Sequence, residues 1–144
     1  MNLFGVLDIS GSALTAQRQR AEVVATNLAN AETTRTPEGG PYRRQEVVFG
    51  AQQTGSFLKM MGAFEDFRVQ GVAIEGVVAD LTPPVRRFDP GHPDADADGY
   101  VAFPAINPAE EMVNLMSAAR SYQLNAAAVQ AAKQMIQYSL EILR

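Results

Sequence analysis

Asp94, Asp96 and Asp98 alternate along Asp94-Ala95-Asp96-Ala97-Asp98-Gly99, a spacing at which three carboxylates can converge on a hard cation. Gly99 takes the sixth position, where a calcium loop turns sharply. The twelfth position, which would supply a bidentate carboxylate, is Ala105. Tyr100 to Phe103 followed by Pro104 stand where an exiting helix would begin. The pattern therefore reads first as a polar turn closing a hairpin, with weak cation binding as the lesser reading. His92 is the only histidine; it lies between Gly91 and Pro93, and no Cys exists to share a metal or a nucleophilic role with it. It reads as a turn residue. No Ser stands in a nucleophile elbow, no glycine-rich phosphate loop is present, and no carboxylates pair at a catalytic spacing. The expectation is no enzyme activity, no cofactor and no metal.

Composition narrows the partners. The 144 residues carry a formal net charge of -4. With Arg43-Arg44 and Arg86-Arg87 isolated from each other, that argues against nucleic acid. The start, Met1-Asn2-Leu3-Phe4-Gly5, lacks the basic and long apolar regions of a cleaved signal peptide. No stretch has the length and apolarity of a membrane span, so no membrane insertion is expected. The absence of Cys suits a chain that crosses into an oxidising compartment.

The elements that would position such residues lie at the two ends. Asn107 can cap a helix, Pro108 suits its first turn, and Glu110 sits three residues past the cap. Met112, Leu115, Ala119, Tyr122, Ala126, Val129, Lys133, Ile136, Leu140 and Leu143 then follow a 3-4 rhythm, a coiled-coil seam with one polar interruption. Such a helix would be roughly 55 Å long, more than one small domain buries. Its back face is small and uncharged, with extra apolar residues such as Val113, Leu124 and Met135, and only Arg120 and Lys133 carry charge between Met112 and Leu140. A solvated face normally carries charges. The face reads as one that meets neighbouring subunits, against the plainer reading of half a helical hairpin.

The first thirty residues predict a second helix with Leu3, Leu7, Leu14, Ala21, Val24 and Leu28 on heptad positions, Ser10 and Gln17 filling the gaps. Gly5 and Gly11 each cost up to about 1 kcal/mol relative to Ala, so the firm helix is expected from near Ser12 to near Asn30. The two patterns predict an antiparallel pair with the middle of the chain at its tip. Strands are expected over Tyr42 to Phe49, Phe67 to Val78, Pro84 to Phe88 and Tyr100 to Phe103, with Gly71 and Gly76 at bends or bulges; Gln52 to Ala63 is ambiguous. The fold class is α+β: a helix in 1–35, a small β-rich domain in 36–105 and a helix in 106–144.

Both ends carry motifs. Ser12-Ala13-Leu14-Thr15-Ala16-Gln17-Arg18, continuing to Asn27-Leu28-Ala29-Asn30-Ala31-Glu32, resembles the N-terminal signature of bacterial flagellar axial proteins. Asn107-Pro108-Ala109-Glu110-Glu111-Met112-Val113-Asn114-Leu115-Met116, then Ala119-Arg120-Ser121-Tyr122, resembles their C-terminal signature. Gly39-Gly40-Pro41-Tyr42-Arg43-Arg44-Gln45 and Gly91 to Val101 are similar to the proximal-rod branch of that family. The wider family's Thr-x-Gly-Tyr ending is replaced here by Thr34-Arg35-Thr36-Pro37, as in that branch. The resemblance implies a structural subunit of the basal-body rod, in the periplasmic space, exported by the flagellar type III apparatus without a cleaved signal. It implies helical assembly with copies of itself and other rod proteins, and torque passed toward the hook. The implied assembly residues are Ala13, Leu14, Asn27, Leu28 and Asn30 in the first helix. In the second they are Glu111, Met112, Asn114, Leu115, Arg120, Tyr122, Val129, Ile136 and Leu140. Asn27, Asn30 and Asn114 are expected to bridge helices through their amides, with capping the competing role for Asn30. The alternative to a rod subunit is a secreted helical-hairpin binding module with a β tip.

Overall fold

The computed structural model describes residues 3–51 and 71–142. Within them run α1 (Leu3–Ala29), β1 (Gln45–Ala51), β2 (Val72–Ala79), β3 (Val85–Phe88), β4 (Tyr100–Phe103) and α2 (Pro108–Ile142). The Gln52 to Ala63 segment, the start of the strand expected from Phe67, and Leu143 lie outside the described residues. The two long helices with a small antiparallel β region between them are the α+β arrangement the sequence predicts.

α1 is continuous from Leu3 and does not begin near Ser12. The penalty at Gly5 and Gly11 is overcome because this half of the helix is packed: Ser10 and Ala16 are buried. At its other end Asn30 N–H donates to Thr26 O, and the Asn30 amide donates to the same carbonyl at 2.9 Å, closing the helix. α2 starts as its composition dictates: Ala109 N–H donates to Asn107 Oδ1 at 3.0 Å, and Glu111 N–H to Asn107 O. Asn27, near the end of α1, touches Glu111, in the first turn of α2, so the helices lie side by side in opposite directions. At about 1.5 Å per residue α1 is about 40 Å long and α2 about 52 Å, so α2 overhangs its partner.

The seam of α2 is rotated from the expected line. Glu111, Ala118 and Ala132 are buried, and Asn114, Ser121, Asn125, Val129 and Ile136 are half-buried. Met112, Ala119, Tyr122, Lys133 and Leu140, five members of the expected seam, are exposed. Leu115, Ala126, Val129 and Ile136 of the expected line stay half-buried, so the shift of one residue, about 100° of rotation, applies to the first turns of α2 and fades toward its end. Small residues let the helix axes approach closely, and the Asn27–Glu111 contact sets the rotation. On α1 the expected Ser10 and Val24 are buried, joined by Ala16 and Asn27.

β1 and β2 pair antiparallel from Gln45↔Ala79 to Ala51↔Val72. Val48 pairs with Gly76 and Phe49 with Ile74, so Glu75 is the extra residue of a bulge beside Gly76. The Glu75 carboxylate lies over Gly50, where a Cβ would collide with it. This ribbon does not stand at the tip of the helical pair. Gln45 bonds to Asn27, and Val72 N–H donates to Ser12 Oγ at 3.0 Å. Fifteen helical residues span about 22 Å and six strand steps about 20 Å, so the ribbon runs back along α1. β3 and β4 pair from Val85↔Phe103 to Phe88↔Tyr100. The Phe88 and Tyr100 rings meet edge-on at 5.3 Å, and the Arg87 guanidinium lies 4.0 Å over Phe103.

Candidate functional site

Two features stand out: a polar junction inside the subunit and an apolar face outside it. The junction is built around Asn27 and Glu111, which are 0% and 1% exposed. Asn27 Nδ2 donates to Gln45 O at 2.8 Å and to Glu111 Oε2 at 3.2 Å. Asn27 Oδ1 accepts from Gln45 N–H at 2.9 Å and from the Tyr42 hydroxyl at 3.1 Å. All four hydrogen-bonding positions of the amide are filled. One side chain on α1 therefore grips the backbone of β1 from both sides and the carboxylate of α2.

Glu111 would be costly to bury as a lone charge. Arg44 Nε donates to its Oε1 at 2.9 Å, and Asn114 Nδ2 reaches the same oxygen at 3.5 Å. The Arg44 guanidinium also bonds Glu46 and lies 4.0 Å from Asp80. The bond to Glu46, opposed by burial and supported by Glu111, raises Arg44 above the usual arginine pKa. Burial, with the Glu111 charge adding to it, pushes the Tyr42 hydroxyl up. Breaking one partner of a buried pair typically costs about 3–5 kcal/mol, which makes this cluster a structural lock.

The aspartates at the β3–β4 turn face different protein donors. Asp94 accepts from Thr34 Oγ1 at 2.8 Å and lies 3.8 Å from Arg35. Asp96 Oδ1 accepts from Asp98 N–H at 3.0 Å and Tyr100 N–H at 2.8 Å, while Oδ2 accepts from Arg86. Chiefly through the Tyr100 amide, Asp96 is held below the usual carboxylate range. Gly99 has φ of +79°, as this turn requires. His92 Nδ1 accepts from Asp94 N–H at 3.1 Å, and its ring stands edge-on to Phe103. The cluster builds a hairpin turn, and among the described residues no group of three or more such side chains is placed to hold a metal.

The candidate assembly residues divide by burial. Asn27 and Glu111 face each other inside the subunit, so they present nothing to a neighbour. Ala13, Leu14, Leu28, Asn30, Asn114, Leu115, Val129 and Ile136 are half-buried, and Met112, Arg120, Tyr122 and Leu140 are exposed. Within the subunit, Asn27 is the one of the three asparagines that bridges helices; Asn30 caps its own helix and Asn114 supports Glu111 from the next turn. The main outward feature lies beyond that set. Val113, Met116, Leu124, Met135 and Tyr138, each more than half exposed, fall with Arg120, Ala127 and Ala131 on one line along α2, opposite its buried face. Val113, Leu124 and Met135 had marked that face in the sequence as oddly apolar. Arg120 is its single charge.

Both ends of the chain match flagellar rod families. The family described as "Flagella basal body rod protein" matches residues 7–35, and "Flagellar basal body rod FlgEFG protein C-terminal" matches residues 97–142. Over its whole length the chain is 38% identical to the flagellar basal-body rod protein FlgC of Borreliella burgdorferi, with 100% of this chain and 99% of that protein covered. Against the FlgC of Escherichia coli O6:H1 the identity is 41% (99% and 98% covered), and against that of Bacillus subtilis 40% (99% and 99% covered). The chain belongs to the FlgC family of flagellar basal-body rod proteins. It is a structural subunit of the flagellar basal-body rod. Each of the two matched segments supplies one half of the buried junction, Asn27 from the first and Glu111 from the second. No helix among the described residues is long and apolar enough to cross a membrane.

Proposed function

We propose that this FlgC-family chain is a proximal-rod subunit that polymerises helically through its terminal helices and carries motor torque along them to the hook and filament. It does this without catalysis. Other rod proteins and copies of itself are its partners, the flagellar type III apparatus exports it, and the rod it joins stands in the periplasmic space.

The observation that carries this reading is the outward line of α2 from Val113 to Tyr138, about 38 Å long with one charge. Monomeric proteins rarely expose a continuous apolar patch of more than a few hundred Å2. A subunit that binds its neighbour through two different surfaces, one on α1 and one on α2, makes a heterologous contact that generates a filament. The buried junction then transmits load. Its charge-assisted bonds tie α1, β1 and α2 into one body, so force on either helix moves the subunit as a whole.

Leu124→Asp tests the reading, because Leu124 is exposed and the substitution leaves the subunit's own packing intact. In a strain of the source bacterium lacking its native copy, the variant is expected to be made with unchanged circular dichroism, to yield no complete rods and to abolish swimming. Normal swimming by the variant would reject assembly through this face.

A further inference from the structure

Arg120 is an exposed cation in the middle of an apolar line, and it makes no ion pair with any described residue. A charge in that place weakens a purely apolar contact unless the opposing surface carries its counter-charge. The outward face of α1 meets that requirement. It presents Gly11, Thr15, Arg18, Glu22, Ala25 and Ala29, all exposed. Glu22 and Asp8 are the only acids within α1.

We infer that Arg120 pairs with Glu22 of a neighbouring copy and so sets the register in which the outward line of α2 seats on the outward face of α1. This rests on assembly through the helices as proposed above. In a helical polymer every copy has the same polarity, so α2 of one subunit meets α1 of the next in opposite directions, as the two helices meet within the subunit. Placing Arg120 level with Glu22 brings Val113 level with Ala29, Leu124 with the aliphatic stem of Arg18, and Ala131 with Gly11. Val113 and Met116 then stand level with the smaller Ala29 and Thr26, and Ala131 with Gly11, a pair small enough on both sides to let the two axes approach closely. Pairing Arg120 with Asp8 instead places Leu124 level with Phe4 and leaves the rest of the line past the start of α1. Glu22 already lies 3.6 Å from Arg18 of its own helix, in an open pair that a second arginine joins without displacing the first.

Charge reversal reads the pairing directly. In the complemented strain, Arg120→Glu and Glu22→Arg are each expected to lower swimming and recovered rods at least tenfold, with unchanged circular dichroism because both sites are exposed. The double reversal is expected to restore both. Single variants that swim normally, a double variant no better than the singles, or rescue of Arg120→Glu by Asp8→Arg in place of Glu22→Arg would each overturn the inference. Leu124→Asp separates the two levels. If it blocks assembly while the double reversal fails to rescue, the register is wrong and the helical interface stands; if it assembles normally, both fall. The chain contains no cysteine, so Thr15→Cys with Ala127→Cys adds a clean geometric check. Within one subunit these positions lie on opposite outer faces, so oxidation of isolated basal bodies is expected to give a ladder of covalent multimers. Absence of the ladder contradicts the register.

Discussion

Replacing Asn27 removes more than one contact. In Asn27→Ala, Gln45 N–H, Gln45 O and the Tyr42 hydroxyl lose a partner inside the protein, and Glu111 loses one of its donors. At about 1 kcal/mol per net bond, with more for groups left unsatisfied, the loss is about 3–5 kcal/mol. For a chain of this size that lowers Tm by roughly 10 °C. Asn27→Asp separates loss of bonding from loss of shape. It nearly conserves volume but places a second carboxylate about 3 Å from Glu111, where like charges cannot both ionise cheaply. In that variant the folded chain holds the proton of the introduced carboxyl more tightly than the unfolded chain does. Relative to the parent, the variant is therefore most stable below the ordinary carboxylate range and loses stability as pH rises through and above it. Urea denaturation followed by circular dichroism, at acid and neutral pH, measures both effects. The reasoning fails if Asn27→Ala lies within 0.5 kcal/mol of the parent on the ordinary scale of surface changes. It also fails if Asn27→Asp is no less stable at neutral pH than at pH 4.

Two further outcomes follow from the β3–β4 turn. Gly99→Ala should cost about 1–3 kcal/mol, because φ is +79° and a Cβ there would stand 2.9 Å from the Phe88 ring; a thermal melt that matches the parent contradicts this. Asp96 should titrate below the usual value of 3.8, read by carboxyl NMR shifts. Its folded-state pKa is depressed, so the stabilising bonds from Tyr100 and Asp98 are present above the unfolded pKa and are lost as pH falls through the folded one. A midpoint at or above 3.8 would deny those bonds.

Much of the fold was legible because local rules act at its boundaries. Asn107-Pro108 starts α2, Asn30 ends α1, and Tyr100 to Phe103 is the final strand, each decided by residues near in sequence. Misplacements arose where packing outvoted local preference. Gly5 and Gly11 pointed to a late helix start, yet Ser10 and Ala16 are covered and the helix runs through. The 3-4 rhythm of α2 points to a seam through Met112, Ala119, Tyr122, Lys133 and Leu140, yet Ala118 and Ala132 form the inner line. Val113 and Leu124 face outward, as the charge-poor back face in the sequence implies. Asn27 and Glu111 stand out by type and motif as residues for a neighbour's surface, yet they face each other inside the subunit. Their partners, Tyr42, Arg44 and the Gln45 backbone, lie in the loop after α1 and at the start of β1, and no periodicity links those positions. The ribbon's return along α1 was hidden for the same reason: its anchors, Ser12 and Asn27, bond to backbone atoms.

The central claim is that the outward line of α2 becomes covered when the rod forms. Met116, Met135 and Tyr138 report on it directly, since all three are exposed in the subunit and readily modified. Brief hydroxyl-radical labelling of the isolated subunit and of intact basal bodies, read by mass spectrometry, compares the two states. Strong labelling of all three in the subunit and at least tenfold protection in the basal body is the predicted result. Equal labelling in both states would mean that this face stays open in the rod and that assembly uses another surface.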